Sequence, residues 1–91
     1  MDTTTFTTEL KATGFDDIAE KHCTANFTSD PHAHAFAVRG LVTAGEFILT
    51  KEGTPASYRA GDMFEMDANC VHTEASGAEG TAYLVGRKHP Q

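Results

Sequence analysis

Residues 32–45 have the sequence HAHAFAVRGLVTAG, and residues 61–76 have the sequence GDMFEMDANCVHTEAS. In the first stretch His32 and His34 are two residues apart, so on an extended strand both imidazoles leave the same face. Two imidazoles on one face can share a metal ion. An HxH pair alone is weak support, because a chain with five histidines contains one by chance fairly often. The spacing of the residues around the pair gives stronger support for a metal site.

Short runs with strand character surround both stretches and are separated by Gly, Pro, Asn and Asp. Strands are predicted at residues 18–24, 35–43, 46–51, 56–59, 63–66, 70–74 and 81–87. So many short strands with almost no helix between them favour an antiparallel sandwich or barrel. Residues 1–14 are predicted to form a short helix or an edge strand packed on that barrel. Residues 15–91 are predicted to form the barrel itself as a single domain.

The composition excludes several classes of protein. The 91 residues are 40% hydrophobic and 22% charged, which is typical of a folded domain. A formal charge of -6 disfavours nucleic acid and membrane surfaces as partners. No membrane span or secretory signal is expected, and two cysteines suggest reduced thiols in the cytoplasm. A domain this small buries limited surface, so we expect a homodimer.

The spacing of the two stretches resembles that of the cupin family. Cupins carry HxH, three or four residues, Glu, six residues and Gly, followed by Gly, five residues, Pro-x-Gly, two residues, His, three residues and Asn. All these spacings are present here. The identities that match are His32, His34, Gly45, Gly61 and His72. The identities that differ are Val38 for Glu, Asp67 for Pro, Asn69 for Gly and Ser76 for Asn.

The resemblance implies an all-β protein with the cupin double-stranded β-helix, or jelly-roll barrel. It also implies that His32, His34 and His72 converge inside the barrel on one divalent transition-metal ion. Three imidazoles suit iron, zinc, nickel or manganese without choosing among them. The alternative is a barrel whose histidines are buried hydrogen-bonding residues and bind no metal.

The absence of the motif carboxylate at Val38 directs attention to Glu74. Glu74 lies two residues beyond His72 and is therefore expected on the same strand face. Three roles are open to it there: fourth ligand, hydrogen-bond acceptor for a histidine, or general base. A solvated Glu near a strand end is the alternative. Cys70 shares this parity, and Phe36 shares that of His34 and Val38, so Phe36, Val38 and Cys70 are predicted pocket residues. Cys70 could equally be a small buried hydrophobe.

The remaining histidines are predicted to lie outside the site: His22 at the surface and His89 in an exposed, disordered tail.

Three-His sites that lack the carboxylate are similar to those of thiol and diketone dioxygenases. A metalloenzyme acting on a small anionic, oxygen-bearing molecule is therefore one hypothesis, either dioxygenase-like or a redox-neutral isomerase or lyase. A non-catalytic module that binds or senses a small ligand is the other.

Overall fold

The computed structural model describes residues 2–89, so Met1, Pro90 and Gln91 lie outside it. Within this range the chain forms one helix followed by five strands. Their bounds are α1 (Thr3–Ala12), β1 (Asp16–Cys23), β2 (Ala37–Lys51), β3 (Thr54–Arg59), β4 (Met63–Met66) and β5 (His72–Lys88). No helix in this part of the chain has the length and apolarity needed to cross a membrane.

The strands pair in antiparallel fashion in the order β1-β5-β2-β3, and β4 also pairs with β2. β2 and β5 run beside each other from Ala37 opposite Lys88 to Lys51 opposite His72. On its other edge β2 pairs first with β4, at residues 38–41, and then with β3, at residues 46–51. This mostly β, antiparallel architecture confirms the predicted fold class.

Two long strands replace four of the predicted short ones. Residues 37–43 and 46–51 both belong to β2, and residues 72–74 and 81–87 both belong to β5, so the prediction of separate strands is wrong there. The glycines that suggest turns lie instead where the pairing of β2 with β5 shifts register. Gly45 and Gly80 have φ of 73° and 77°, and a Cβ on Gly45 would lie 2.1 Å from the Gly80 carbonyl oxygen. Only glycine permits this close approach of two bent strands.

The apolar core lies on both faces of the sheet. The larger cluster lies inside the barrel and contains Val38, Val42, Phe47, Leu49, Phe64, Met66, Tyr83 and Val85. The smaller cluster joins α1 to the outer face through Phe6, Leu10, Phe15 and Leu41. α1 begins after Asp2, whose carboxylate accepts from the Thr5 backbone N–H at 2.7 Å as an N-cap. Of the two forms predicted for this segment, the structure therefore has the helix.

Candidate metal centre

Three histidines and one glutamate meet near the start of β5. His32 and His34 come from the chain between β1 and β2, whereas His72 and Glu74 come from β5. One candidate ligand atom from each of the four lies within 4.8 Å of the others. The imidazole centroids are 4.3 Å apart for His32 and His72, and 5.0 Å apart for His32 and His34. The structure thus brings together the three histidines and the glutamate singled out from sequence.

Backbone hydrogen bonds hold the two histidine segments against each other. The His32 N–H donates to the His72 carbonyl at 3.0 Å, and the His72 N–H donates to the His32 carbonyl at 2.9 Å. The Asn69 N–H donates to the His34 carbonyl at 2.6 Å, with Asn69 at a φ of 65°. Asn is among the few residues that accept the positive φ of the motif glycine. His32 and His34 therefore owe their common direction to these bonds, since they precede β2 and do not lie on it.

The imidazoles of His32 and His72 are both oriented by backbone carbonyls. Nδ1 of His32 lies 2.9 Å from the Asp30 oxygen, and Nδ1 of His72 lies 2.9 Å from the Cys70 oxygen. A carbonyl only accepts, so each Nδ1 carries the hydrogen, and in a neutral ring Nε2 presents its lone pair. These two Nε2 atoms lie 2.9 Å and 3.2 Å from the same oxygen of Glu74, Oε2. A cation bound by the two Nε2 atoms and Oε2 accounts for this close approach of three lone-pair atoms.

Glu74 is a largely buried member of the cluster, with its side chain 18% exposed, rather than a solvated residue at a strand end. Its backbone N–H donates to Ser29 Oγ at 2.9 Å, and Tyr83 donates its hydroxyl to Glu74 Oε1 at 3.5 Å. Burial, and then the Glu74 charge, raises the pKa of Tyr83 far above its usual value, so the phenol stays a donor. Tyr83 thereby positions Glu74 so that Oε2 faces the histidines.

His34 completes the cluster as a neutral side chain. Partial burial lowers its pKa, and the neighbouring His32 and His72 lower it further. A neutral imidazole is the form that binds a metal ion. The His34 ring stacks on Phe36, with centroids 4.9 Å apart and planes 10° from parallel. This contact holds the orientation of the His34 ring.

A cavity of about 220 Å³ lies beside the cluster. Its walls are Lys21, His32, His34, Phe36, Val38, Phe64, Met66, Glu74, Tyr83, Val85 and Arg87. Phe36 and Val38, which share parity with His34, both line it. Val38 is only 6% exposed and contributes methyl groups where the cupin motif has a carboxylate. The next residue, Arg39, is directed away, to Phe15 and Glu65.

Cys70 does not line this cavity, so the parity argument fails for it. β5 begins only at His72, and the Cys70 N–H donates to the Asp67 carbonyl in the preceding turn, at 3.3 Å. Alternation of side chains holds within a strand and does not extend through a turn. Cys70 lines a separate groove beside Pro31 and Val71.

Three further polar side chains of the cavity, those of Lys21, Tyr83 and Arg87, are not among the site residues that the sequence predicts. The alternation of Tyr83, Val85 and Arg87 along one strand was the available signal, because it gives all three one face. The alternation of side chains along a strand, however, does not show which of its two faces points into the barrel.

The other two histidines lie apart from the cluster, as expected. The His22 side chain is 69% exposed and its Nε2 lies 2.8 Å from Glu20. His89 is also exposed, yet it is held by contacts rather than free: its Nε2 lies 3.4 Å from Asp17 Oδ2, and its ring lies 5.2 Å from that of Phe36. Neither approaches the three-histidine cluster.

The donor set fits a transition-metal ion. Nitrogen and oxygen ligands at about 2.0–2.2 Å from a metal lie about 3 Å apart at right angles and about 3.4 Å apart in a tetrahedron. The distances from Glu74 Oε2 to the two Nε2 atoms, 2.9 Å and 3.2 Å, fall in that range. Three imidazoles and one carboxylate suit zinc, iron, nickel or manganese rather than calcium.

Solved cupin structures share this fold. A cupin superfamily protein from Desulfitobacterium hafniense superposes with a TM-score of 0.72 at 15% identity, over 80% of this chain and 66% of its own. A cupin 2 conserved barrel domain protein from Salinispora arenicola gives 0.71 at 16% identity, over 82% and 63%. A Thermotoga maritima protein named as a predicted oxalate decarboxylase gives 0.71 at 15% identity, over 90% and 73%.

The chain spans about two thirds of the length of these three proteins. No protein-family model and no curated protein matches the sequence. Identities this low establish the fold and leave the chemistry to the site itself. The antiparallel barrel, the spaced motifs and these structural neighbours together give the chain the fold of the cupin superfamily.

Proposed function

We propose that the protein binds one divalent transition-metal ion through His32, His34, His72 and Glu74. The observation that carries this proposal is the shared position of Glu74 Oε2 beside two Nε2 atoms whose rings are anchored through Nδ1. Anchoring of this kind fixes the tautomer and orientation that a metal ligand needs. Among the roles open to Glu74, the short distances favour that of fourth ligand.

The cavity supports a small ligand next to the ion. Its volume of about 220 Å³ lies below the roughly 300–1,000 Å³ of pockets for drug-sized ligands. When bound, the ion supplies a positive charge that polarises an oxygen group of the ligand. We therefore propose that the ligand is a small anionic, oxygen-bearing molecule, processed by dioxygenase-like chemistry or by redox-neutral isomerase or lyase chemistry according to the metal.

One observation favours binding without catalysis as the second candidate. Among the described residues that line the cavity, Glu74 is the only carboxylate, and it is engaged by His32, His72 and Tyr83. A carboxylate committed to these contacts is a poor general base. A ligand-binding or sensing module needs no such base. The cytoplasmic location and the homodimer stay predictions under either function.

Metal content is the first test. Protein purified without a His-tag is analysed by elemental mass spectrometry, beside the variants His32→Ala and His72→Ala. We expect about one equivalent of metal in the wild type and loss of it in both variants. His22→Ala and His89→Ala are matched controls that keep the metal, because both side chains are exposed outside the cluster. Equal retention in His72→Ala would overturn the site.

Oxygen consumption then separates the two candidate functions. The iron-loaded protein is assayed with a panel of small thiols and β-diketones, and the zinc-loaded protein serves as the redox-inactive control. Turnover by the iron-loaded protein, with none by the zinc-loaded protein, supports dioxygenase-like chemistry. Ligand binding with no consumption of oxygen and no product with any metal supports the binding module.

A further inference from the structure

Two cationic side chains, Arg87 and Lys21, face the cavity beside the candidate metal centre. Arg87 lies opposite Val38 in the pairing of β5 with β2, and Lys21 lies opposite Tyr83 in the pairing of β1 with β5. Paired residues of antiparallel strands share one face of the sheet. Both cations therefore belong to the wall that carries Tyr83 and Val38.

Neither cation has a carboxylate partner within residues 2–89. The other arginines do: Arg39 lies 3.3 Å from Glu65, and Arg59 lies 3.5 Å from Glu46. The chain as a whole has a charge of -6, so acidic groups are in excess. In such a protein, two unpaired cations facing one cavity form a local site for an anion.

The guanidinium of Arg87 lies over an aromatic ring that itself contacts the centre. Its Cζ lies 4.7 Å from the centroid of the Phe36 ring, and Phe36 stacks in turn on His34. Stacking covers one face of the guanidinium and leaves the N–H groups on its edge free to donate. A planar fork of N–H donors matches the two oxygens of a carboxylate.

We propose that Arg87 binds a carboxylate of the small ligand, while a second oxygen group of the same molecule reaches the metal centre. Lys21 adds positive charge at the exposed side of the cavity. Val38, Met66 and Val85 form the apolar wall, which suits a short aliphatic chain between the two oxygen groups. The ligand class is thus a small organic acid with oxygen groups at both ends, and the assignment rests on the proposed metal site.

Calorimetric titration with short dicarboxylates tests this assignment. Malonate, succinate and glutarate are titrated into metal-free and Co²⁺-loaded protein, and the tightest of them is compared with its monomethyl ester. Arg87→Gln removes the charge, and Arg87→Lys keeps it without the fork. The matched control is Arg39→Gln, since Arg39 also stacks on an aromatic ring, 4.8 Å from the Phe15 centroid, outside this cavity.

We expect Arg87→Gln to weaken binding of the dicarboxylate by about 10- to 100-fold. The wild type should prefer the dicarboxylate to its monoester, and Arg87→Gln should lose that preference. Arg87→Lys should recover part of the affinity, and Arg39→Gln should match the wild type. Equal Co²⁺ affinity and equal melting temperature in wild type and Arg87→Gln show that the variant is folded.

The contrary outcomes are distinguishable. Dicarboxylate binding that does not depend on Arg87, or no dicarboxylate binding to Co²⁺-loaded protein, overturns the assignment and leaves the metal site standing. Failure to bind Co²⁺ with Arg87-dependent dicarboxylate binding retained overturns the metal site and leaves the carboxylate site standing. Arg87-dependent binding of inorganic phosphate that equals or exceeds that of the dicarboxylate overturns the carboxylate as the ligand class.

Discussion

One carboxylate oxygen, Oε2 of Glu74, connects two of the three histidines of the candidate metal centre. It lies 2.9 Å from His32 Nε2 and 3.2 Å from His72 Nε2. The usual cupin position for a carboxylate holds Val38, which is buried and apolar. In the proposed site Glu74 supplies the carboxylate from another strand, because it lies two residues beyond His72 and so shares its face.

We predict that Glu74→Gln lowers metal affinity by about 10- to 100-fold, the loss typical when a group that supports a metal site is removed. The amide keeps the size of the side chain but loses the charge that balances the ion. Competition titration against a chromophoric zinc chelator measures the effect. Glu65→Gln is the control, because Glu65 is 71% exposed and pairs with Arg39. Unchanged affinity in Glu74→Gln would show that Glu74 is not a ligand.

Gly40 has a steric role on the wall beside the cavity. A Cβ at this position would lie 2.1 Å from Cζ of Phe64, which is itself only 3% exposed. We predict that Gly40→Ala destabilises the fold by about 1–3 kcal/mol, the usual cost of overpacking a core. Urea unfolding measures the change. The double variant Gly40→Ala/Phe64→Leu should recover part of the loss, and a single variant as stable as the wild type would contradict the packing.

At the scale of elements, the bend in β5 decides which residues reach the cavity. Residues 77–80 lie between Ser76, opposite Phe47, and Thr81, opposite Gly45, so four residues of β5 oppose one residue of β2. Glu74 and Tyr83 are nine residues apart and would face opposite sides of a regular strand. The bend removes that conflict and allows the Tyr83 hydroxyl to contact Glu74.

The helix α1 should depend on pH through its N-cap. The backbone hydrogen bond from Thr5 is the main cause that lowers the pKa of Asp2 below 3.8. A folded pKa below the unfolded value means that the cap stabilises the helix above pH 3.8 and that this stability is lost as pH falls through the folded pKa.

We therefore expect Asp2→Ala to be less stable than the wild type at neutral pH, with the difference shrinking below pH 3.8. Chemical denaturation at a series of pH values measures the difference, and amide exchange in α1 localises it. The control is Glu52→Ala, which removes a carboxylate from an exposed turn. Asp62→Ala is not used, because Asp62 accepts a hydrogen bond from the Arg59 N–H. A pH-independent difference between wild type and Asp2→Ala would contradict the ionised cap.

At the scale of the whole molecule, the candidate centre connects segments that are far apart in the chain. A ligand that binds only the folded state stabilises it, by about 2.7 kcal/mol at a free concentration 100-fold above Kd. For a chain of this size that corresponds to a rise in Tm of about 10–20 °C. We predict this rise on addition of the metal found in the purified protein and its reversal by a chelator.

Scanning calorimetry with and without the chelator measures the rise. His72→Ala should show no such response, and His22→Ala should respond as the wild type does. A rise of equal size in His72→Ala would mean that the metal stabilises the protein from another place. No rise in the wild type would mean that the four side chains do not bind it.

The residues that meet at the centre could be predicted from the sequence, and so could the class of fold. The spacing of His32, His34 and His72 is set by the sequence, and strand pairing only brings these three positions into register. Glu74 followed from the two-residue period of β5. These predictions rest on short-range periodicity, which the backbone of an extended chain enforces wherever a strand is regular.

What only the tertiary structure decided lies where that periodicity breaks. Cys70 falls in a turn and leaves the cavity, and the bend at 77–80 brings Tyr83 onto the face of Glu74. Arg87 and Lys21 meet at one cavity from strands at opposite ends of the sequence. Bulges and long-range pairing depend on packing between distant segments, so no local pattern specifies them.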